Sequence, residues 1–167
     1  VYRPLSVGQS RLTTTGMGSI TFYGSGNPFG LFIGNGTTWN AGGNISITAL
    51  ATGTNTVVIG LQIYGNPAST LTSQAGSIVI NVSGTSQNSS AALIASNPGA
   101  SLLSIIANNA NGNAGNISIL GQDYGKNLGM SLTGVRVKTN GGGLTVGPFG
   151  SGIGSFNLPA GFILPGT

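Results

Sequence analysis

Short runs of aliphatic and β-branched residues recur along the whole chain, and clusters of Gly, Asn, Pro and Ser separate them. Within several runs apolar and polar residues alternate, for example at Ile45 and Ile47 or at Ile117 and Ile119. An alternation of period two places every second side chain on one face of a strand, and the clusters between the runs are typical of turns. The pattern predicts an all-β chain with strands at Ser19–Tyr23, Leu31–Ile33, Asn44–Leu50, Thr56–Tyr64, Ser77–Val82, Ser101–Ala107, Asn116–Leu120, Leu128–Lys138 and Gly143–Val146.

One stretch has some helical character, because Ser89–Ala107 is rich in Ala and Leu. Pro98 and Gly99 interrupt this stretch, and a proline in a helix interior removes a hydrogen bond and clashes with the preceding turn. The stretch therefore predicts either two strands or a single helical turn followed by a strand.

The strands and turns favour an antiparallel β-sandwich, because two half-buried sheets account for the alternation. No charge run, linker or change in composition divides the chain, so residues 16–167 are predicted to form a single β domain. Residues 1–15 contain Pro4, few apolar residues and two arginines, and we expect them to form an extended N-terminal arm.

A β-helix, or solenoid, is the alternative fold. Four segments share a Gly, a small polar residue and an alternating apolar pair: Gly18–Phe22, Gly43–Ile47, Gly76–Ile80 and Gly115–Ile119. Residues 41–47 and 112–119, with the sequences AGGNISI and GNAGNISI, resemble the repeats of secreted hemagglutinin-type β-helix proteins. The spacings between the four segments are 25, 33 and 39 residues. A solenoid is expected to keep a nearly fixed period, so the sandwich is preferred.

The side chains that most enzymes use for catalysis are almost absent. The chain has one acidic residue, Asp123, and neither His nor Cys, which excludes a Ser-His-Asp triad and His or Cys metal sites. Asp123 lies between glycines and is interpreted as a turn residue. A Ser-Lys pair with Lys126 or Lys138 has no local motif to support it. The sequence predicts no enzymatic activity, no catalytic or metal-binding residue and no cofactor.

The net charge of +4 does not indicate a nucleic-acid partner. Phosphate binding needs several cations on one surface, whereas two of the cations lie near the N-terminus and three in a later segment: Arg3, Arg11, Lys126, Arg136 and Lys138. No apolar run approaches the ~18–20 residues of a membrane span. We therefore expect neither nucleic-acid binding nor a membrane span.

Five Asn-X-Ser/Thr sequons are candidate N-glycosylation sites: Asn35, Asn44, Asn81, Asn88 and Asn116. Their number is close to what chance gives in a chain this rich in Asn, Ser and Thr. A secreted protein with 4% charged residues nevertheless needs another means of staying hydrated, which glycans provide. Asn35 and Asn88 are favoured because they fall in predicted loops. The other three lie at or in strands, where only an outward side chain is accessible.

The length, the low charge and the N-terminal arm resemble subunits of extracellular filaments, such as archaeal threads and bundling pili or chaperone–usher pili. The resemblance implies polymerisation by donor-strand complementation, in which the arm of one subunit adds a strand to the next. Leu5 and Val7 alternate as a donated strand requires, and Leu12 lies beyond them. The prediction is a secreted, acid-stable structural protein whose partners are copies of itself. A start at Val1 is typical of a mature secreted chain, although a shortened chain would begin in the same way.

A carbohydrate-binding adhesin is the alternative function. Aromatic side chains can form sugar platforms, and the candidates are Tyr23, Trp39, Tyr64, Tyr124 and the Phe residues, although aromatic residues in strands more often lie in the core. Ice binding by a flat Thr-bearing sheet ranks lower, because the Thr residues do not recur at one interval along the chain.

Overall fold

The computed structural model describes residues 5–27, 29–34, 36–52, 58–64, 68–84, 89–95, 103–108, 112, 115–123, 128–133, 135–148 and 155–157. These residues form sixteen strands and no helix. In chain order the strands are β1 Leu5–Val7, β2 Arg11–Thr13, β3 Ile20–Gly26, β4 Phe29–Ile33, β5 Thr38–Ala41, β6 Ile45–Ala51, β7 Val58–Tyr64, β8 Ser69–Ser73, β9 Ile78–Gly84, β10 Ser89–Ala95, β11 Leu103–Ala107, β12 Ile117–Asp123, β13 Leu128–Thr133, β14 Val135–Thr139, β15 Leu144–Pro148 and β16 Ser155–Asn157.

The strands form three parallel sheets, and each successive strand belongs to the next sheet. Sheet A has the order β1-β4-β7-β10-β13-β16, sheet B has β2-β5-β8-β11-β14, and sheet C has β3-β6-β9-β12-β15. Three consecutive strands therefore make one rung, and the next rung stacks on it with every described strand pair parallel. This topology is a parallel β-helix. The predicted antiparallel sandwich is wrong, and the alternative solenoid fits.

Alternation alone did not distinguish the two folds, because a half-buried strand alternates in either. Uneven rung length concealed the repeat. Inter-rung hydrogen bonds at the start of sheet C join residues that are 25, 33, 39 and 27 positions apart in the chain. The first three values are the unequal spacings of the echo segments in the sequence. Loops of different length between strands absorb the variation, so the strands stay in register while the chain period changes.

The core consists of inward side chains stacked in columns along the solenoid. In sheet C, Ile20 pairs with Ile45, Ile45 with Ile78, and Ile78 with Ile117. All four are buried. Burying such a side chain stabilises the fold by about 1.5–3 kcal/mol, so columns of this kind hold the rungs together. Trp39 is fully buried in sheet B, where its ring stacks on Phe22 with centroids 4.4 Å apart.

A stack of glycines lets successive rungs approach closely at the corner between sheets B and C. A Cβ on Gly76 would lie 2.7 Å from the carbonyl carbon of Gly43, and one on Gly142 would lie 2.6 Å from that of Gly115. Real Cβ atoms do not approach backbone this closely. The Gly that opens the second, third and fourth echo segments is therefore required by the stacking of the corner, whereas a Cβ on Gly18 would meet Thr14 and Thr15 of its own rung.

Most predicted strands exist, with shifted ends. The predicted strand Leu128–Lys138 consists of two strands, β13 and β14, in different sheets. The stretch with helical character contains β10 and β11, as one of its two interpretations predicted. Strands β2, β5, β8 and β16 were not predicted, because their sequences, RLT, TWNA, STLTS and SFN, carry one large apolar residue each.

The N-terminal segment belongs to the first rung. Leu5 and Val7 lie in β1, which pairs with β4 of the same chain, and Leu12 lies in β2, which pairs with β5. Val7 and Leu12 pack against the core. Donation of this segment to a neighbouring subunit would therefore have to replace its pairing with β4 and β5 of its own chain. The donor role of Leu5, Val7 and Leu12 stays a prediction.

Candidate binding face on sheet B

The outward face of sheet B carries two columns of mostly polar side chains. We call this surface the B face, and its residues are Arg11, Thr38, Thr70, Ser104 and Arg136 in the first column and Thr13, Asn40, Thr72, Ile106 and Lys138 in the second. Neighbours within a column stand on adjacent strands, ~4.8 Å apart, and the columns are separated by two residues along each strand, ~6.6 Å. All ten side chains are exposed or half-buried.

Apolar residues between the columns fix the orientation of this face. Leu12, Trp39, Leu71, Ile105 and Val137 form the inward column of sheet B. Because successive side chains of a strand point to opposite sides, burying this column forces the flanking residues outward. Trp39 is anchored further, since its Nε1–H donates a hydrogen bond of 2.9 Å to Oγ of Ser10.

A ladder of side-chain amides runs along the B face where the chain turns toward sheet C. Nε2 of Gln74 donates to Oδ1 of Asn40 at 2.8 Å, and Nδ2 of Asn108 donates to Oε1 of Gln74 at 2.9 Å. Nδ2 of Asn140 completes the ladder on Oδ1 of Asn108 at 2.8 Å. One amide per rung is hydrogen-bonded to the next, so this edge of the face is held in place from β5 to β14.

A second ladder joins the rungs where sheet C begins. The backbone N–H of Asn44 donates to Oγ of Ser19 at 3.1 Å, and that of Ser77 donates to Oδ1 of Asn44 at 2.8 Å. The same bond recurs from Asn116 to Ser77 and from Gly143 to Asn116, at 3.2 and 2.7 Å. The small polar residue of the sequence echo is therefore the one that links each rung to its neighbour.

Three cations that are distant from one another in the sequence lie on the B face. Arg11 lies at one end of the first column, and Arg136 and Lys138 lie on the last strand at the other end. All three are exposed. No acidic residue occurs in the five strands of sheet B. The single Asp, Asp123, is the last residue of β12 in sheet C, so its interpretation as a turn residue is wrong. The face thus has an uncharged centre between cationic ends.

The outward face of sheet C is less uniform. Tyr23 is 63% exposed there, and its column continues with Thr48 and Asn81 and then reaches Leu120. Trp39 is fully buried and cannot form a sugar platform. Tyr124 and the side chain of Tyr64 lie outside the described residues. Among the aromatic side chains that the structure describes, Tyr23 is the most exposed candidate for stacking against a sugar.

The sequons differ in their surroundings. Asn44 and Asn116 are exposed, and each uses Oδ1 as an acceptor in the second ladder. Asn81 is half-buried on an outward position of β9, and its Oδ1 is buried without a hydrogen-bond partner among the described residues. Asn35 and Asn88 lie outside the described residues. Glycosylation of all five stays a prediction.

The sequence contains a weak sign of the B face. Each strand of sheet B carries a large inward residue between two outward residues, as in Arg11-Leu12-Thr13, Thr70-Leu71-Thr72 and Arg136-Val137-Lys138. These triplets are too short to predict a strand individually. Their alignment required the rung boundaries, which the loops conceal.

Comparison of the chain with protein-family models, curated proteins and solved structures finds no match. The resemblance to filament subunits therefore stays a prediction. Within the described part of the chain, no helix is long and apolar enough to cross a membrane.

Proposed function

We propose that this chain is an extracellular, non-enzymatic adhesion module that binds polysaccharide on the B face. The observation that carries the proposal is the in-register outward array of Thr38, Thr70, Thr72, Ser104 and Asn40. Hydroxyl and amide groups donate and accept hydrogen bonds and so suit sugar hydroxyls.

Preorganisation supports the proposal. Thr is restricted at χ1, the inward column sets the register, and the amide ladder holds one edge of the face. A surface that is already ordered loses little conformational entropy when a ligand binds. Ile106 adds an apolar position, against which the C–H face of a sugar ring can pack.

Binding to a panel of polysaccharides, measured by affinity electrophoresis and calorimetry, tests the proposal. The variant Thr38→Val/Thr70→Val/Thr72→Val removes three hydroxyls and keeps the shape of the side chains. A hydrogen bond contributes about 0.5–1.5 kcal/mol net, so we expect the affinity to fall about 10-fold or more. The matched control is Thr21→Val/Thr48→Val/Thr145→Val on sheet C, which also removes three outward hydroxyls and should bind like the wild type.

A separate variant, Tyr23→Ala, tests the outward face of sheet C. Loss of binding in that variant or in the sheet C control, with full binding by the B-face variant, would move the site to sheet C. Absence of binding to any polysaccharide would refute the proposal.

The pattern of the array favours polysaccharide over ice. Thr38 and Thr70 are adjacent in one column, but Asn40 separates Thr13 from Thr72 in the other. The unequal spacing of the Thr residues along the chain results from loops of different length, so it does not argue against ice binding. The interruption of the Thr array by Asn40 and the cations at both ends of the face do argue against ice binding, because ice binding requires a regular uncharged surface.

A filament is the second candidate function, supported by the ends of the solenoid. Among the described residues, β1, β2 and β3 have a paired neighbour on one side only, and so have β14, β15 and β16. Unpaired strand edges favour pairing with another chain. Electron microscopy of the purified protein tests this candidate. Long regular polymers would support it, and monodisperse particles would refute it.

A further inference from the structure

We infer that the polymer bound by the B face is an acidic polysaccharide lying along the solenoid axis, across the strands. This inference rests on the proposed function and names the ligand of the same surface. Three of the five cations of the chain stand on this one face.

The positions of the charges set the direction and extent of the ligand. Arg11 and Arg136 occupy the two ends of one column, with Thr38, Thr70 and Ser104 between them. Four inter-strand spacings correspond to ~19 Å. A single sugar cannot reach both ends, whereas an extended oligosaccharide segment can. Its anionic groups would meet the guanidinium groups and Lys138, and its neutral hydroxyls would meet the Thr and Ser residues.

Charge complementarity favours an acidic glycan over a nucleic acid. Single-stranded nucleic acid is held by a cationic groove together with aromatic side chains on which bases stack. The ten residues of the B face include no aromatic residue, and its centre is uncharged. A polymer that combines spaced anions with many hydroxyls matches both features.

The ligand panel uses one polymer backbone in three forms: dextran, carboxymethyl dextran and dextran sulfate. At low salt and pH 7 we expect both acidic forms to bind at least 10-fold more tightly than dextran, with the difference shrinking in 0.5 M salt as charges are screened. Lowering the pH to 3 separates the two anions, because the carboxyl groups of carboxymethyl dextran, which titrate at about pH 3–4, lose most of their charge while the sulfate esters of dextran sulfate stay ionised. Weakening of carboxymethyl dextran alone is the expected result, and it would show that the B face binds the anionic charge of the polymer rather than its backbone.

The matched variants are Arg136→Gln/Lys138→Gln on the B face and Arg3→Gln/Lys126→Gln elsewhere in the sequence, which lower the net charge equally. The B-face pair should weaken binding of the acidic polymers about 10-fold or more, since hydrogen bonds to charged groups are the stronger class. The other pair lowers the net charge equally but leaves the ten residues of the B face unchanged, so it should change the affinity by less than about 3-fold if the B face itself holds the ligand.

The binding results distinguish failure of the inference about an acidic ligand from failure of the proposed binding of polysaccharide. Equal loss in both variant pairs would show attraction to net charge only and would overturn the inference. Binding of neutral and acidic dextran with the same affinity, and sensitivity to the triple Val variant, would retain the proposed function and overturn the inference. Tighter binding of single-stranded DNA than of dextran sulfate, lost in the B-face pair, would replace the acidic glycan by a nucleic acid. Binding to none of the polymers would count against both proposals.

Discussion

Arg11 and Arg136 stand in the same outward column of sheet B, although they are far apart in the sequence. Four successive parallel registers connect them through Thr38, Thr70 and Ser104. The column exists only if every rung stacks without slipping by one residue, since such a slip would turn the outward residues inward. Hydrogen bonds, close backbone contacts and buried side chains hold this register, and substitution of single residues can test each of them.

The amide ladder should contribute measurably to stability. Replacing Gln74 by Met preserves the length of the side chain but removes both hydrogen bonds, leaving Oδ1 of Asn40 and Nδ2 of Asn108 without this partner. These groups are partly buried, so we expect a loss of about 1–2 kcal/mol in the free energy of unfolding. Denaturant unfolding followed by circular dichroism measures the change. Gln9→Met in an exposed turn is the control, and an equal effect of the two substitutions would exclude a role for the ladder.

The glycine stack should tolerate no side chain. A Cβ on Gly115 would meet the backbone carbonyl of Gly76 in the rung below, and backbone cannot move aside as a flexible side chain can. We expect Gly115→Ala to destabilise the fold by about 1–3 kcal/mol. Gly147 has nothing within 4 Å of the corresponding Cβ position, so Gly147→Ala should be close to neutral. Thermal unfolding of both variants measures the contrast, which would be absent if the corner were loosely packed.

The features that hold one rung to the next could be predicted from the sequence only in part. The echo segments were visible as Gly, a small polar residue and alternating Ile, and each feature has a structural cause: the glycine stack, the inter-rung hydrogen bond and the inward column. Parallel stacking could not be predicted from the sequence. Ile78 pairs with Ile45 on one side and with Ile117 on the other, and these partners lie at unequal distances from it along the chain. The B face was hidden for the same reason. Neither Arg11 nor Arg136 carries any local sign that the other is near.

Among the described side chains of the first two rungs, Trp39 should make the largest contribution to the free energy of unfolding. Its side chain is fully buried, stacks on Phe22 and donates to Ser10. Trp39→Ala removes all of these interactions and should cost about 3–5 kcal/mol, whereas Trp39→Phe should retain the stacking and lose less. Circular dichroism on denaturation gives both values. Since Trp39 is the single Trp, its wild-type fluorescence should be blue-shifted, and an emission maximum typical of solvent-exposed Trp would contradict its burial.

Acid should have little effect on the fold. Stability changes with pH only where the folded and unfolded states bind different numbers of protons. Between pH 7 and 2 the groups that titrate in this chain are Asp123 and the C-terminal carboxyl, because the chain contains no Glu and no His. We expect the circular dichroism spectrum to persist to about pH 2 and the unfolding midpoint to shift little. A cooperative loss of β signal between pH 5 and 2 would disprove this prediction.

The distance between positions 11 and 136 tests most directly whether the solenoid assembles the B face. The chain has no native Cys, so Arg11→Cys/Arg136→Cys can be spin-labelled at these two exposed positions and measured by pulsed electron paramagnetic resonance. Four parallel inter-strand spacings place the two Cα atoms ~19 Å apart, so with flexible labels we predict a single distribution within about 15–30 Å. A broad distribution, or one centred well beyond that range, would show that the rungs do not stack in this register and would contradict the B face itself.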